Sequence, residues 1–196
     1  MELYVKMADI LKPCKVGKAK IDILDYTNKE LGFWENMSGI RHEKYARLRY
    51  DGETMMSETP MEHRTNSYFV LNAHGDVLIG GLGIGMIILA IQDNPEVKSI
   101  TVIENSQDVI SAVQHQLPLN NKVTVINDDV FTFKPKQQYD CIYMDIWAYI
   151  NSDVYNEEMK PLKRKYGHYL KPKSLSPKRF NRCWCEYEAK SNKRIY

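Results

Sequence analysis

Gly81, Gly83 and Gly85 follow the apolar run Val77–Ile79, and a second apolar stretch, Met86–Ile91, follows them. A strand that enters a glycine turn and opens an apolar helix lets the backbone approach a ligand closely, with the helix N–H groups aimed at it. Three carboxylates end later apolar stretches: Glu104, Asp129 and Asp145. Glu104, about 20 residues beyond the turn, suits a pair of ribose hydroxyls. Asp129, in the run Asn127-Asp128-Asp129, falls at the base side of the same crevice, and Asp145 falls beside the reacting atom. The chemistry implied is the binding of a nucleoside ligand at the turn, with an acid poised next to it.

The elements that must position these groups follow from the spacing of apolar residues. Lys18 to Tyr26 alternates in polarity, as a half-buried strand does. Tyr45–Tyr50 and Glu53–Ser57 flank Asp51-Gly52, a dipeptide suited to a two-residue hairpin. A small β-rich element, residues 1–57, is therefore expected ahead of the main sheet. Thr59-Pro60-Met61-Glu62 has the form of a capping box, with Glu62 reaching back to the cap. The helix it opens is expected to run to Ala73 and end at Gly75.

Strands are then expected at 76–80, 98–103, 123–126 and 141–146, and helices at 84–93, 106–116 and 152–170. Such alternation predicts an α/β fold, doubly wound and Rossmann-like, with a mostly parallel sheet formed by residues 58–170. Residues 171–196 are polar and basic, with room for one more strand around Arg179–Tyr187. The C-terminal part of the sheet is thus expected to be incomplete. Its edge would need cover from the tail or from a second copy, which makes a homodimer the expectation.

The glycine pattern is G-x-G-x-G, with Met86 where a dinucleotide fingerprint needs its last glycine. Acids after three successive strands suit S-adenosylmethionine better than a dinucleotide. There is no pyrophosphate to accommodate, and the sulfonium is positive. The ordered set Val77–Gly85, Glu104–Ile110, Asp129–Phe133 and Tyr139–Asp145 resembles class I S-adenosylmethionine-dependent methyltransferases, and among them the spermidine-synthase-like branch. The resemblance covers roughly residues 45–150. It implies that Glu104 binds the ribose, that Asp129 lies near the adenine amine and that Asp145 is the catalytic carboxylate. The expected cofactor site is Gly80, Gly81, Leu82, Gly83, Gly85, Glu104, Asn105, Asp128, Asp129, Asp145 and Trp147. Trp147 and Tyr149 are candidates to stack on a planar acceptor, and His63 is a second candidate for proton transfer.

Departures from that branch bear on the reaction. Asp145 is followed by Ile146-Trp147-Ala148-Tyr149, without the second Asp of the polyamine-binding Asp-x-x-Asp-Pro run. Gly83 replaces the acid that grips the ligand's amino group, and Ile79 stands where many methyltransferases carry an acid. Methyl transfer to an unassigned acceptor is therefore the first reading. Aminopropyl transfer is the second, and a non-catalytic S-adenosylmethionine-binding or nucleic-acid-interacting protein the third.

Composition bounds these readings. With 196 residues, 43% apolar and 27% charged, the chain has the makings of one soluble domain. The longest apolar run is too short for a bilayer, which gives no expectation of a membrane partner. Cys14, Cys141, Cys183 and Cys185 show no disulfide framework, so a cytoplasmic location is expected. Cys183-Trp184-Cys185 with His168 is too tightly spaced for a zinc site, and no metal is expected. The net charge of +2 conceals an asymmetry, because residues 160–196 hold 12 Lys/Arg against only Glu186 and Glu188. A basic end on an acidic body suits either a solvated tail or a nucleic-acid partner.

Overall fold

In the computed structural model, which describes residues 3–195, the chain folds into two sheets. The first is antiparallel, in the order β1 (Cys14–Val16), β2 (Ala19–Asp25), β3 (Lys44–Tyr50) and β4 (Glu53–Ser57). Asp51 and Gly52 both take positive φ at the β3–β4 turn, as a two-residue hairpin twisting with its strands requires. Two short helices belong to this part, α1 (Met7–Ile10) and α2 (Phe33–Met37).

The second sheet holds five strands, all parallel: β5 (Gly75–Gly80), β6 (Val97–Glu104), β7 (Val123–Asn127), β8 (Cys141–Met144) and β9 (Phe180–Cys183). Their order is β7-β6-β5-β8-β9, so the chain reverses direction across the sheet between β5 and β8. Ligands of doubly wound sheets bind at such a switch point, beyond the carboxyl ends of the strands. Both faces are covered. Val77, Ile79, Cys141 and Tyr143 point into one apolar cluster with α3 (Pro60–Asn72), α4 (Met86–Gln92) and α5 (Gln107–Val113). Leu78, Ile142 and Met144 point into the other, with the segment 152–167 and α8 (Glu186–Lys190). Burial on both sides explains why β5 and β8 are continuous apolar runs rather than alternating ones.

Several boundaries differ from expectation for local reasons. The fourth core strand stops at Met144, because Asp145 leaves the ladder after donating its N–H to Gly80 O at 2.8 Å. The charged helix divides into α6 (Ser152–Val154), a π-helical turn Tyr155–Met159, and α7 (Lys160–Gly167). Pro161, which has no N–H to donate, lies where the chain returns to α geometry.

The C-terminal segment packs on the core instead of extending as a solvated tail. β9 pairs with β8 from Cys141↔Phe180 to Met144↔Cys183, and Cys183, Trp184 and Ala189 are buried. Lys171 anchors the approach to this strand, reaching Asp76 and Asp140 at 2.6 Å each beneath β5 and β8. Among the described residues, no helix is long and apolar enough to cross a membrane.

Candidate functional site

Strand register brings the chemistry to one edge. Gly80 is level with both Ile103 and Met144, Glu104 with Asn127, and Met144 with Cys183. The residues just past each strand, Gly81, Asn105, Asp128, Asp145 and Trp184, therefore emerge side by side. They border a cleft of about 450 Å³, roofed by Leu48, Tyr50, Met55 and Met56 of the small sheet.

Glu104 is 8% exposed and takes the Leu82 N–H on Oε2 at 2.9 Å and the Ser106 N–H on Oε1 at 2.8 Å. Burial raises its pKa against the pull of these donors and of the Asn105 backbone N–H, and the carboxylate keeps one lone-pair site for a ligand hydroxyl. Asp129 accepts the Phe131 N–H at 2.8 Å and Asp128 the Asp129 N–H at 2.7 Å, which fixes the turn after β7. Trp147 donates its indole N–H to Glu158 at 2.7 Å, so the ring is locked against the cleft wall.

Asp145 shares the cleft with a carboxylate from the first turn of α3, Glu62. The Asn66 side chain donates to Asp145 and is itself held by the Tyr143 hydroxyl at 2.9 Å. Burial raises the pKa of Asp145, which the Asn66 bond only partly offsets. Burial raises that of Glu62 too, and the nearby charge of Asp145 adds to it.

Of the residues expected to hold the cofactor, Gly81, Gly83, Glu104, Asn105, Asp128, Asp129, Asp145 and Trp147 border the cleft. Gly80, Leu82 and Gly85 do not. Gly80 packs against Met144, Leu82 is buried and positions Glu104 through its N–H, and Gly85 opens α4 against Leu117. Tyr149 is 71% exposed and lies outside the cleft. His63 also lies outside it, stacked on Tyr4 with ring centroids 4.4 Å apart at the border of a separate depression.

Several side chains of the cleft were not singled out as site residues from the sequence, among them Glu62, Glu158 and Trp184. Glu62 carries the capping-box spacing, yet the Thr59 side chain makes no capping bond and the Glu62 carboxylate turns into the cleft. Trp184 follows β9, and its indole N–H donates to Thr65 Oγ1 at 3.0 Å, which closes the wall between β9 and α3.

The lining thus holds six carboxylates, Glu62, Glu104, Asp128, Asp129, Asp145 and Glu158, and no lysine, arginine or histidine among the described residues. Such a surface repels a pyrophosphate and attracts a cation.

No family model matches the chain, and no curated protein matches it. Among solved structures, the N-methyltransferase NodS of Bradyrhizobium japonicum WM9 is 16% identical over 59% of this chain and 65% of its own, with a TM-score of 0.45. The CcbJ methyltransferase of Streptomyces caelestis is 19% identical over 58% of this chain and 46% of its own, with a TM-score of 0.46. Spermidine synthase of Thermotoga maritima is 18% identical over 74% of this chain and 50% of its own, with a TM-score of 0.44. The match spans less than two thirds of the length of each. The chain itself is a doubly wound α/β protein with a small antiparallel sheet and an acidic cleft at its switch point.

Proposed function

We propose that the cleft binds S-adenosylmethionine and that the chain transfers its methyl group to an acceptor entering beside Trp184. The observation that carries this reading is a lining whose charged side chains are all carboxylates, beyond a glycine turn. A sulfonium nucleoside matches it, whereas a dinucleotide would set two phosphates among carboxylates. In this reading Glu104 accepts the ribose hydroxyls, Asp128 and Asp129 face the adenine end, and the sulfonium lies toward Asp145. Methyl transfer from a sulfonium needs in-line positioning and exclusion of water more than covalent help. Asp145, oriented by Asn66, is placed to receive a proton where the acceptor carries one.

A second reading has its own observation. The lining offers no basic side chain to the α-carboxylate of S-adenosylmethionine, which favours a decarboxylated cofactor and hence aminopropyl transfer. Ile146-Trp147 in place of further acids after Asp145 counts against it.

Calorimetry separates the two. S-adenosylmethionine, S-adenosylhomocysteine, decarboxylated S-adenosylmethionine and NAD are titrated into the protein and into Glu104→Ala. Methyl transfer predicts binding of the first two, weakened about tenfold or more in the variant, a loss of about 1.4 kcal/mol. Preference for the decarboxylated compound selects the second reading, and tighter binding of NAD than of any sulfonium refutes both.

A further inference from the structure

Glu62 and Asp145 border the same cleft, close enough for the charge of Asp145 to act on Glu62, and among the described residues no lysine, arginine or histidine lines it. Glu62 comes from the first turn of α3 and Asp145 from the end of β8. Their hydrogen-bonding partners are neutral: the Asn66 amide for Asp145 and the Ser57 backbone N–H for Glu62. The titratable groups facing them are Tyr4 from the N-terminal segment, Tyr143 on β8, and Cys183 and Cys185 around the end of β9. Burial pushes all four upward, so each is neutral near pH 7, and none supplies positive charge. Tyr50 and the carboxylates of Glu104, Asp128, Asp129 and Glu158 complete the lining. Glu62 is buried and Asp145 half-buried, and two neighbouring carboxylates so placed do not readily both ionise without a cation.

We propose that Glu62 and Asp145 work as one pair that holds a single proton in the empty cleft, gives it up to a bound sulfonium, and regains one from the acceptor during transfer. The proposal rests on the cofactor reading above. When the sulfonium enters, its positive charge replaces the shared proton, which leaves for solvent. In the transfer step the acceptor's electron pair forms a bond to the methyl carbon. The S–CH3 bond breaks, and its electrons stay on sulfur as a neutral thioether. The acceptor's proton passes to Asp145 and is shared with Glu62. The charge within the cleft is then the same before and after transfer. S-adenosylhomocysteine, whose sulfur is a neutral thioether, binds the pair with its proton in place.

The linkage sign follows. Protons leave when the sulfonium binds, so affinity for S-adenosylmethionine rises with pH across the near-neutral range into which burial pushes both groups. Its limit is about tenfold per pH unit for one proton released. Affinity for S-adenosylhomocysteine stays level.

The test is calorimetry of both ligands at fixed pH in phosphate and in Tris, whose ionisation enthalpies differ, repeated from pH 6 to 8.5. The difference in heat counts protons. The expected result is a release approaching one proton for S-adenosylmethionine and none for S-adenosylhomocysteine. Glu62→Gln, and separately Asp145→Asn, abolish the release while binding of S-adenosylhomocysteine persists, which also reports a folded site. Equal release for the two ligands, or release that survives in both variants, overturns the pair and leaves the cofactor reading standing. Binding of neither ligand overturns the cofactor reading and the pair with it.

Discussion

Replacing Gly81 by alanine probes how tightly the glycine turn is built onto Asp145. Gly81 has a φ of +96°, and a Cβ there would lie 2.2 Å from the Asp145 carbonyl oxygen. That oxygen is main chain, on the residue whose N–H is bound to Gly80 O, so it yields less readily than a side chain would. The unfavourable φ costs about 1–2 kcal/mol and the overlap about 1–3 kcal/mol more. A loss of about 3 kcal/mol lowers Tm by roughly 6–12 °C in a domain of this size. Gly83→Ala is the control. It shares a positive φ of +51°, but its Cβ would meet only the Met56 sulfur, at 2.4 Å, on a side chain that can rotate away. Its cost is the backbone component alone, about 1–2 kcal/mol. Urea and thermal unfolding of the three proteins measure the gap. If the two variants agree within about 0.5 kcal/mol, the overlap with Asp145 does not exist as described.

Other perturbations bear on the frame around the cleft. Lys171→Met removes the cation between Asp76 and Asp140. The loss is about 2 kcal/mol, between the figures for exposed and buried pairs. Burial alone would raise the pKa of both carboxylates, but Lys171 outweighs it and holds them below the usual range. Their contribution to stability is therefore present above about pH 4 and lost as pH falls through their lowered values. The deficit of the Lys171→Met variant in urea unfolding should be largest near neutrality and shrink toward pH 3. A deficit independent of pH would contradict the ion-pair account. Glu58→Ala leaves the N–H groups of Met7, Ala8 and Ala46 without their acceptor. It should cost about 2 kcal/mol or more and expose Lys6 to trypsin. Glu104→Gln loses an acceptor for the Leu82 or Ser106 N–H, so cofactor affinity should fall about tenfold or more while the far-UV spectrum is unchanged.

The strand ends are legible in the sequence because each one changes abruptly from apolar residues to glycine or acid. That change is what places Gly81, Glu104, Asp128 and Asp145 at one edge. Glu62 is not legible, because Thr59-Pro60-Met61-Glu62 satisfies the local rule for a capping box. Tertiary placement next to β8 decides that its carboxylate faces the cleft. Leu48, Tyr50, Met55 and Met56 are hidden for a related reason. The hairpin is evident from Asp51-Gly52, but which face it turns toward the main sheet depends on how Glu58 and α3 dock it. β9 falls within the strand expected around Arg179–Tyr187, although Arg179, Arg182 and the lysines around it blur its bounds. Only Phe180, Cys183 and Trp184 supply apolar surface, and they suffice because β8 offers a complete backbone ladder.

The charge asymmetry of the sequence also has an intramolecular use. Lys171 sits between Asp76 and Asp140, and Lys163 pairs with Glu186 at 2.6 Å. Lys165 donates to the carbonyls of Val130 and Phe131 within the field of Asp129 and Asp128. Lys165 and Lys171 thus tie the basic segment to the acidic body and Lys163 ties α7 to α8, all outside the cleft, whose lining they leave negative. An acidic cleft on a charge-balanced frame keeps its attraction for a cation without burdening the whole fold with like-charge repulsion. The ligand then adds stability of its own, about 2.7 kcal/mol at a hundred times its Kd. Raising the salt concentration should weaken cofactor binding less than the frame's exposed ion pairs, because charges buried in the cleft are screened less than charges at the surface.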